Sequence, residues 1–136
     1  MSSSLQDFLN ANPVDNLTEE VVVSPRFKDQ DGNPLKFRIK AMTNKVFDDL
    51  RKRHTRVKGR KSEFDAGAFN LSVVIGHTLE PSFKDAASLQ KLGCDTPEEY
   101  VERVLLAGEV TTLVNEIQKL SGFDIDMADL VEEAKN

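Results

Sequence analysis

Residues 21–42 read VVVSPRFKDQDGNPLKFRIKAM, and this stretch decides the fold class. Val21, Val23 and Phe27 share one parity before Asp29-Gln30-Asp31-Gly32-Asn33-Pro34, and Leu35, Phe37 and Ile39 share the matching parity after it. Period-two alternation on both sides of a turn cluster marks an antiparallel β-hairpin with one buried face. The strands are expected at about 19–28 and 35–42. Gly32 takes positive φ without steric cost and Asp31 tolerates that region, which places the reversal there. Pro25 cannot donate to a ladder, so it implies an edge position or a bulge. The other face carries Arg26, Lys28, Lys36, Arg38 and Lys40, all cationic. Two strands alone are marginal in water, so the apolar face needs a layer to pack on.

The rest of the chain supplies helices for that layer. Ser4 can cap a short N-terminal helix whose Leu5, Phe8 and Leu9 form one apolar face, and Asn12-Pro13 stops it. Being terminal and short, residues 1–18 are expected to be mobile. Thr43 caps a helix with Val46, Phe47 and Leu50 facing inward, ending near His54. Asp65 caps the most apolar run, Phe69 to Leu79, which is read as a central helix, with Pro81 ending it. Asp85 to Leu92 is a short helix stopped by Gly93. Thr96-Pro97-Glu98-Glu99 is the sharpest local signal: a cap, a proline where its missing N–H costs nothing, and the acid of a capping box. Val101, Val104 and Leu105 carry the stripe to a break at Ala107-Gly108. Val110, Leu113, Val114, Ile117 and Leu120 then continue to Ser121-Gly122. Asp126 caps a last helix with Met127, Leu130, Val131 and Ala134 on one side. The expected class is α+β and mostly helical, with one N-terminal hairpin on a bundle of about five to six short helices in a single domain over 1–136.

Composition narrows the function classes. With 136 residues, 39% hydrophobic and 30% charged, the chain is large enough for a core and ordinary for a soluble globular domain. One cysteine, Cys94, excludes an internal disulfide framework and a cysteine-rich zinc module. No apolar run reaches membrane-spanning length and the first residues lack a signal-peptide layout, so a cytoplasmic protein is expected. The net charge of −5 is divided: residues 1–61 hold 13 Lys/Arg against 8 Asp/Glu, and residues 62–136 hold 5 against 15. Such asymmetry bears on partners and association, including self-association, rather than on fold.

Catalytic constellations do not assemble. His54 and His77 sit in no metal-ligand or nucleophile spacing, and Cys94 adjoins Asp95, which raises rather than lowers a thiol pKa. The seven glycines form no phosphate-binding loop. Asp124-Ile125-Asp126 beside Asp129 faintly resembles a calcium loop but lacks its glycine and terminal glutamate. A metal, a cofactor and a hydrolase activity are therefore not expected. The run 51–61 has seven cations in eleven positions, read as a helix end and then a basic loop over about 56–63. Clustered Lys/Arg can neutralise phosphates, but no aromatic residue lies between Arg51 and Glu63 to stack a base, and the domain is acidic overall. A solvated loop is the simpler reading, and contact with an acidic protein surface is a third.

Several stretches together carry a resemblance: SSSLQDFLNANPV, VVVSPRFKDQDGNPLKFRIKAMT, EPSFKDAASLQKLG, VLLAGEVTTLVNEIQKLSGFD and DLVEEAKN, in that order. In combination they resemble the XkdN-like phage tail assembly chaperones of siphophages, myophages and defective prophages of Gram-positive bacteria, over nearly the whole chain from Ser4 to Asn136. The resemblance implies a non-enzymatic assembly factor that binds the long tape measure protein, keeps it soluble and helps tail tube subunits polymerise around it. It further implies a host bacterial cytoplasmic location, absence from the finished virion and, in some relatives, a longer frameshifted form that recruits the major tail tube protein. Val46-Phe47 departs from the pattern, standing where acidic residues are expected after the Thr43 cap. A tape measure protein is a long helical chain with apolar stripes, so binding it calls for apolar grooves with charged rims. The residues expected to meet partners are Arg26, Lys36, Arg38 and Lys40 on the hairpin, Arg51 and Arg53 in the basic run, and Val110, Leu113, Met127 and Leu130 on the C-terminal stripes. The alternative is a small nucleic-acid-binding phage or prophage regulator using 51–61, although nucleic acid and membrane are not the expected partners.

Overall fold

The Asp29 carboxylate builds the hairpin reversal, accepting from the N–H groups of Asp31 and Asn33 at 2.9 Å each, while Gly32 supplies the left-handed residue at φ +82°. Asp31 does not share that conformation, since no non-glycine residue among those described has positive φ. The structure, a computed structural model, describes residues 3–123. The readings of a calcium-like loop and a last helix at Asp126 lie outside them, as do Met127 and Leu130.

Strand β1 (Thr18–Val21) pairs antiparallel with β2 (Phe37–Lys40), Val21 opposite Phe37 and Thr18 opposite Lys40. The paired strands are shorter than expected. Ser24-Pro25-Arg26-Phe27 closes a turn through Phe27 N to Ser24 O, and pairing resumes only as the bridge Lys28–Pro34. Pro25 thus lies beyond the end of an edge strand, where its missing donor does no harm. The parity reading holds at Val21, Val23, Phe37 and Ile39, all buried, and fails at Leu35, which is 49% exposed.

Among the described residues there are six α-helices, consistent with a mostly helical α+β fold. Helix α1 (Ser4–Ala11) is capped by Ser3 rather than Ser4, through Ser3 Oγ and Gln6 N at 3.0 Å. Helix α2 (Asn44–Arg53) is capped by Thr43 and ends at His54, as its spacing predicts. The basic segment after it is not a loop. It forms a second hairpin, β3 (Thr55–Lys58) and β4 (Lys61–Phe64), turning on Gly59 at φ +62°. Thr55, Val57 and Phe64 are β-favouring residues spaced around that glycine, a signal the density of cations obscures.

Helix α3 (Ala66–His77), capped by Asp65, is the centre of the molecule. It packs on α2, α5 and α6, which explains why it is apolar on nearly every side, with Val73 and Val74 fully buried. It stops two residues short of Leu79. Thr78–Glu80 forms β5, which pairs with the free edge of β2 and makes the order β1-β2-β5. The reason is local: Pro81 disfavours helical backbone at Glu80, and β-branched Thr78 suits a strand. Helices α4 (Ala86–Lys91) and α5 (Pro97–Val104) follow, capped by Asp85 and Thr96. The Glu99 carboxylate accepts from Asp95 N at 3.1 Å, one residue earlier than a standard capping box.

The break before α6 (Ala107–Leu120) falls at Leu105-Leu106, not at Ala107-Gly108. Glu109 decides the position, because its carboxylate reaches back to Leu106 N at 2.7 Å and satisfies the first orphan donor. At the other end, Ser121 Oγ accepts from Met42 N at 2.8 Å and donates to Ile117 O, fastening the end of the hairpin to α6. The core joins Ile39 and Phe37 of the sheet to Val73, Val74, Phe83, Val101, Leu113 and Ile117.

Candidate partner-binding surfaces

Arg26, expected on a free cationic face, stays at the surface but is engaged across to α6. Its guanidinium meets the buried carboxylate of Glu109 through Nη2–Oε1 at 2.7 Å and Nε–Oε2 at 3.0 Å, and donates to Val104 O at 2.8 Å. The Arg26 hydrogen bonds hold the Glu109 carboxyl down at about 2, against the opposing effect of burial. The same pairing raises the Arg26 guanidinium further. Arg26 also lies 4.6 Å above the Phe27 ring. It therefore ties the hairpin to the α5–α6 corner, and half of its side chain remains exposed.

Beside this clasp runs an apolar groove of about 420 Å³ between the hairpin tip and α5, lined among others by Phe27, Leu35, Phe37, Phe83, Tyr100 and Val104. Phe27 and Phe37 pack at 5.0 Å and Phe83 and Tyr100 at 6.2 Å, so its walls are aromatic. Lys36 and Glu80 stand on its rim. Leu35, which the alternation assigned to the core, lines this groove instead.

The remaining cations do not share one face. Arg38 is exposed on the central strand, opposite Glu20 of β1 and beside Glu80 of β5. Lys40 and Arg53 come together on a cavity of about 320 Å³ that also holds Val46, His77 and Glu98. Arg51 instead lines a cavity with Phe47, Phe64 and Phe69 and pairs with Asp48 at 2.8 Å, while Lys52 reaches Asp48 at 3.0 Å. Hydrogen bonds from Arg51 and then Lys52 lower the Asp48 pKa below the usual carboxylate range. Phe47 has a packing role: it meets Phe69 edge-on at 6.0 Å and Phe123 at 5.3 Å. Val46, next to it, is 38% exposed.

The C-terminal stripe divides in the same way. Leu113 is fully buried and belongs to the core, so it offers no contact surface. Val110 is partly exposed and lines a groove with Leu71, Glu102 and Leu105 between α3 and the α5–α6 corner. A surface that the hairpin-centred reading passed over is α1, in which no residue is buried; Leu5, Phe8 and Leu9 are all more than half exposed. Their i, i+3, i+4 spacing is visible in sequence, but that spacing does not say whether a helix face is covered.

Two further titratable groups, Cys94 and His77, are buried. His77 is buried with Nδ1 3.0 Å from Val73 O, and desolvation lowers its pKa. No group of three or more His, Cys, Asp or Glu among the described residues could hold a metal ion, and no described helix is long and apolar enough to cross a membrane.

Comparison with known proteins adds the family. A family model described as "Phage XkdN-like tail assembly chaperone protein, TAC" matches residues 5–135. The chain is 33% identical to "Uncharacterized protein YqbN" of Bacillus subtilis (strain 168), covering 97% of this chain and 93% of that one. It is 33% identical to "Phage-like element PBSX protein XkdN" of the same strain, covering 86% and 83%. The crystal structure of the protein YqbN superposes with a TM-score of 0.72 at 30% identity, covering 91% of this chain and all of that one.

Proposed function

The chain belongs to the phage XkdN-like tail assembly chaperone family, and from that premise we propose that its client is the tape measure protein, which it binds and keeps soluble in the host bacterial cytoplasm while tail tube subunits assemble. The observation that carries this reading is the aromatic groove between the hairpin tip and α5, with Lys36 and Glu80 on its rim. A long helical client presents apolar stripes that aggregate in water, and a helix-in-groove contact buries one such stripe. Charges of both signs at the rim set register and orientation more than affinity. Lys36, Lys28 and Arg38 near the hairpin, together with Val110 on its separate groove, are the contacts we assign to tail proteins. The protein acts by binding rather than by catalysis and leaves before the virion is complete.

The test is co-expression with the tape measure protein of the same phage or prophage. The expected result is a soluble, copurifying complex that Phe27→Asp or Leu35→Asp at the groove disrupts. A tape measure protein that stays insoluble and unbound beside the folded chaperone overturns the proposal.

A further inference from the structure

We propose that copies of this chain associate head to tail, the open edge of β1 on one copy pairing antiparallel with the open edge of β3 on the next. Strand β1 ends the order β1-β2-β5, and β3 pairs with β4 alone, so each has one edge without a partner strand among the described residues. Every residue of the β3–β4 hairpin except Thr55 is exposed. Two strands with so little cover are marginal in water and gain from a further strand. On β1, Glu19 and Glu20 are exposed, as is Val22 just beyond it.

Ladder parity decides which backbone groups face those edges. Ala41 N donates to Leu17 O at 2.9 Å, so Leu17, Glu19 and Val21 bond to β2. Thr18, Glu20 and Val22 therefore turn their N–H and C=O groups to the open side. Asp65 N donates to His54 O at 2.8 Å, so Arg56 and Lys58 bond to β4 while Thr55 and Val57 face outward. In an antiparallel ladder the outward-facing residues of the two strands stand opposite one another. Glu20 opposite Val57 puts Val22 opposite Thr55 and Glu19 opposite Lys58.

The side chains match in that register. Val22 and Val57, 49% and 75% exposed, become diagonal neighbours on one face of the ladder and cover each other. On the other face Glu19 meets Lys58 directly, with Arg56 on the diagonal, and opposite charges in those positions stabilise a sheet. None of the three forms an ion pair with any described residue of its own chain. Within its hairpin, Lys58 stands across from Lys61, a like-charge contact that an incoming carboxylate relieves. Charge also disfavours the symmetric alternatives, since two β1 edges set glutamates against glutamates and two β3 edges set cations against cations. The contact therefore joins two different surfaces and propagates, to an open chain or a closed ring. It is a property of the chaperone alone, so it is tested without a client and its failure leaves the tape measure reading untouched.

The experiment is analytical ultracentrifugation of the full chain over a range of concentration and salt. The expected result is a weight-average mass that climbs past that of a dimer with concentration and falls back in high salt. Glu19→Lys and Lys58→Glu should each hold the chain monomeric, and an equimolar mixture of the two should associate again, because the charges have been exchanged. Val57→Pro removes an outward N–H without touching the hairpin's own ladder, and it too should abolish association. Circular dichroism of each variant separates loss of contact from loss of fold, and Lys58→Glu, facing Lys61, is favoured by its own hairpin. A chain that stays monomeric at every concentration, a dimer that grows no further, association that survives any of the three changes, or a mixture that stays monomeric each overturns the proposal.

Discussion

Arg26 and Glu109 lie 83 positions apart and meet in a two-pronged ion pair at 2.7 and 3.0 Å. A bidentate guanidinium–carboxylate contact fixes orientation as well as distance, so this pair sets how the hairpin leans on α6. The same carboxylate caps α6 through Leu106 N. One side chain therefore starts a helix and receives the hairpin.

Arg26→Ala should be the most destabilising of the single changes at hairpin cations. It leaves the buried Glu109 carboxylate without its counter-charge, and removing one member of such a pair is costly. We expect the Tm to fall by several degrees, against almost no change for Lys28→Ala or Lys36→Ala, by thermal unfolding followed by circular dichroism. Equal Tm values for the three would show that Arg26 is merely another surface cation.

Two pH windows follow from the shifted groups. Glu109 titrates at about 2 in the fold against an ordinary 4.5, so the folded state prefers its ionised form. Its stabilisation is complete above 4.5 and is lost as the pH falls from there toward 2. His77 is lowered from 6.5 by burial, so the unfolded chain binds the proton more readily and stability declines as pH falls below 6.5. Urea unfolding across pH should show both slopes. Glu109→Gln should flatten the acidic one and His77→Gln the near-neutral one, and an unchanged profile in either variant removes the corresponding assignment.

Thr78 offers a gain. Its hydroxyl is buried without a hydrogen-bond partner among the described residues, at the first residue of β5. Thr78→Val keeps the branched shape and removes an unsatisfied group, so we expect stabilisation by up to about 1 kcal/mol. A loss of stability in chemical denaturation would mean that the hydroxyl does have a partner. Phe83→Ala is the opposite case. Phe83 is 1% exposed, and truncation should cost about 3–5 kcal/mol.

Charge reversal separates docking from folding only if the right cations are chosen. Lys28→Glu with Lys36→Glu should weaken capture of the tape measure protein while the Tm stays within a degree or two. Arg38→Glu should also lower stability, because it would stand across from Glu20 and Glu80. Pull-down beside a melting curve distinguishes the two effects. Full capture by the Lys28/Lys36 variant would take the hairpin rim out of the interface.

Helix α1 gives a fifth expectation. Leu5, Phe8 and Leu9 are exposed, so changing all three to Ser should leave stability within about 0.5 kcal/mol. A large loss would show that the face is packed in solution.

Local chemistry is what sequence conveys well. Thr43, Asp65, Asp85 and Thr96 each cap the helix that follows, because a side-chain oxygen and an N–H two or three residues away need no distant partner. Gly32 and Gly59 mark reversals for the same reason, although the cations around Gly59 disguised the second hairpin as a loop. The alternation of Val21, Val23, Phe37 and Ile39 located the buried face because period two is a property of the strand itself.

What the tertiary structure decided is where each of those faces ends up. The stretch 21–42 carries five cations with no visible difference among them. Only contact with Glu109 makes Arg26 a structural clasp, while Lys28 and Lys36 remain on the surface. The run 51–61 contains no aromatic residue, yet folding delivers Phe47, Phe64 and Phe69 to Arg51 from three separate elements. Leu113 and Val110 lie on one stripe, but the core encloses Leu113 and leaves Val110 partly exposed. Caps, turns and periodicities are written within a few residues and so were determined by the sequence alone. Pairing of charges, assembly of aromatic floors and the exposure of an apolar face depend on atoms brought from elsewhere in the chain, and only the fold supplies those.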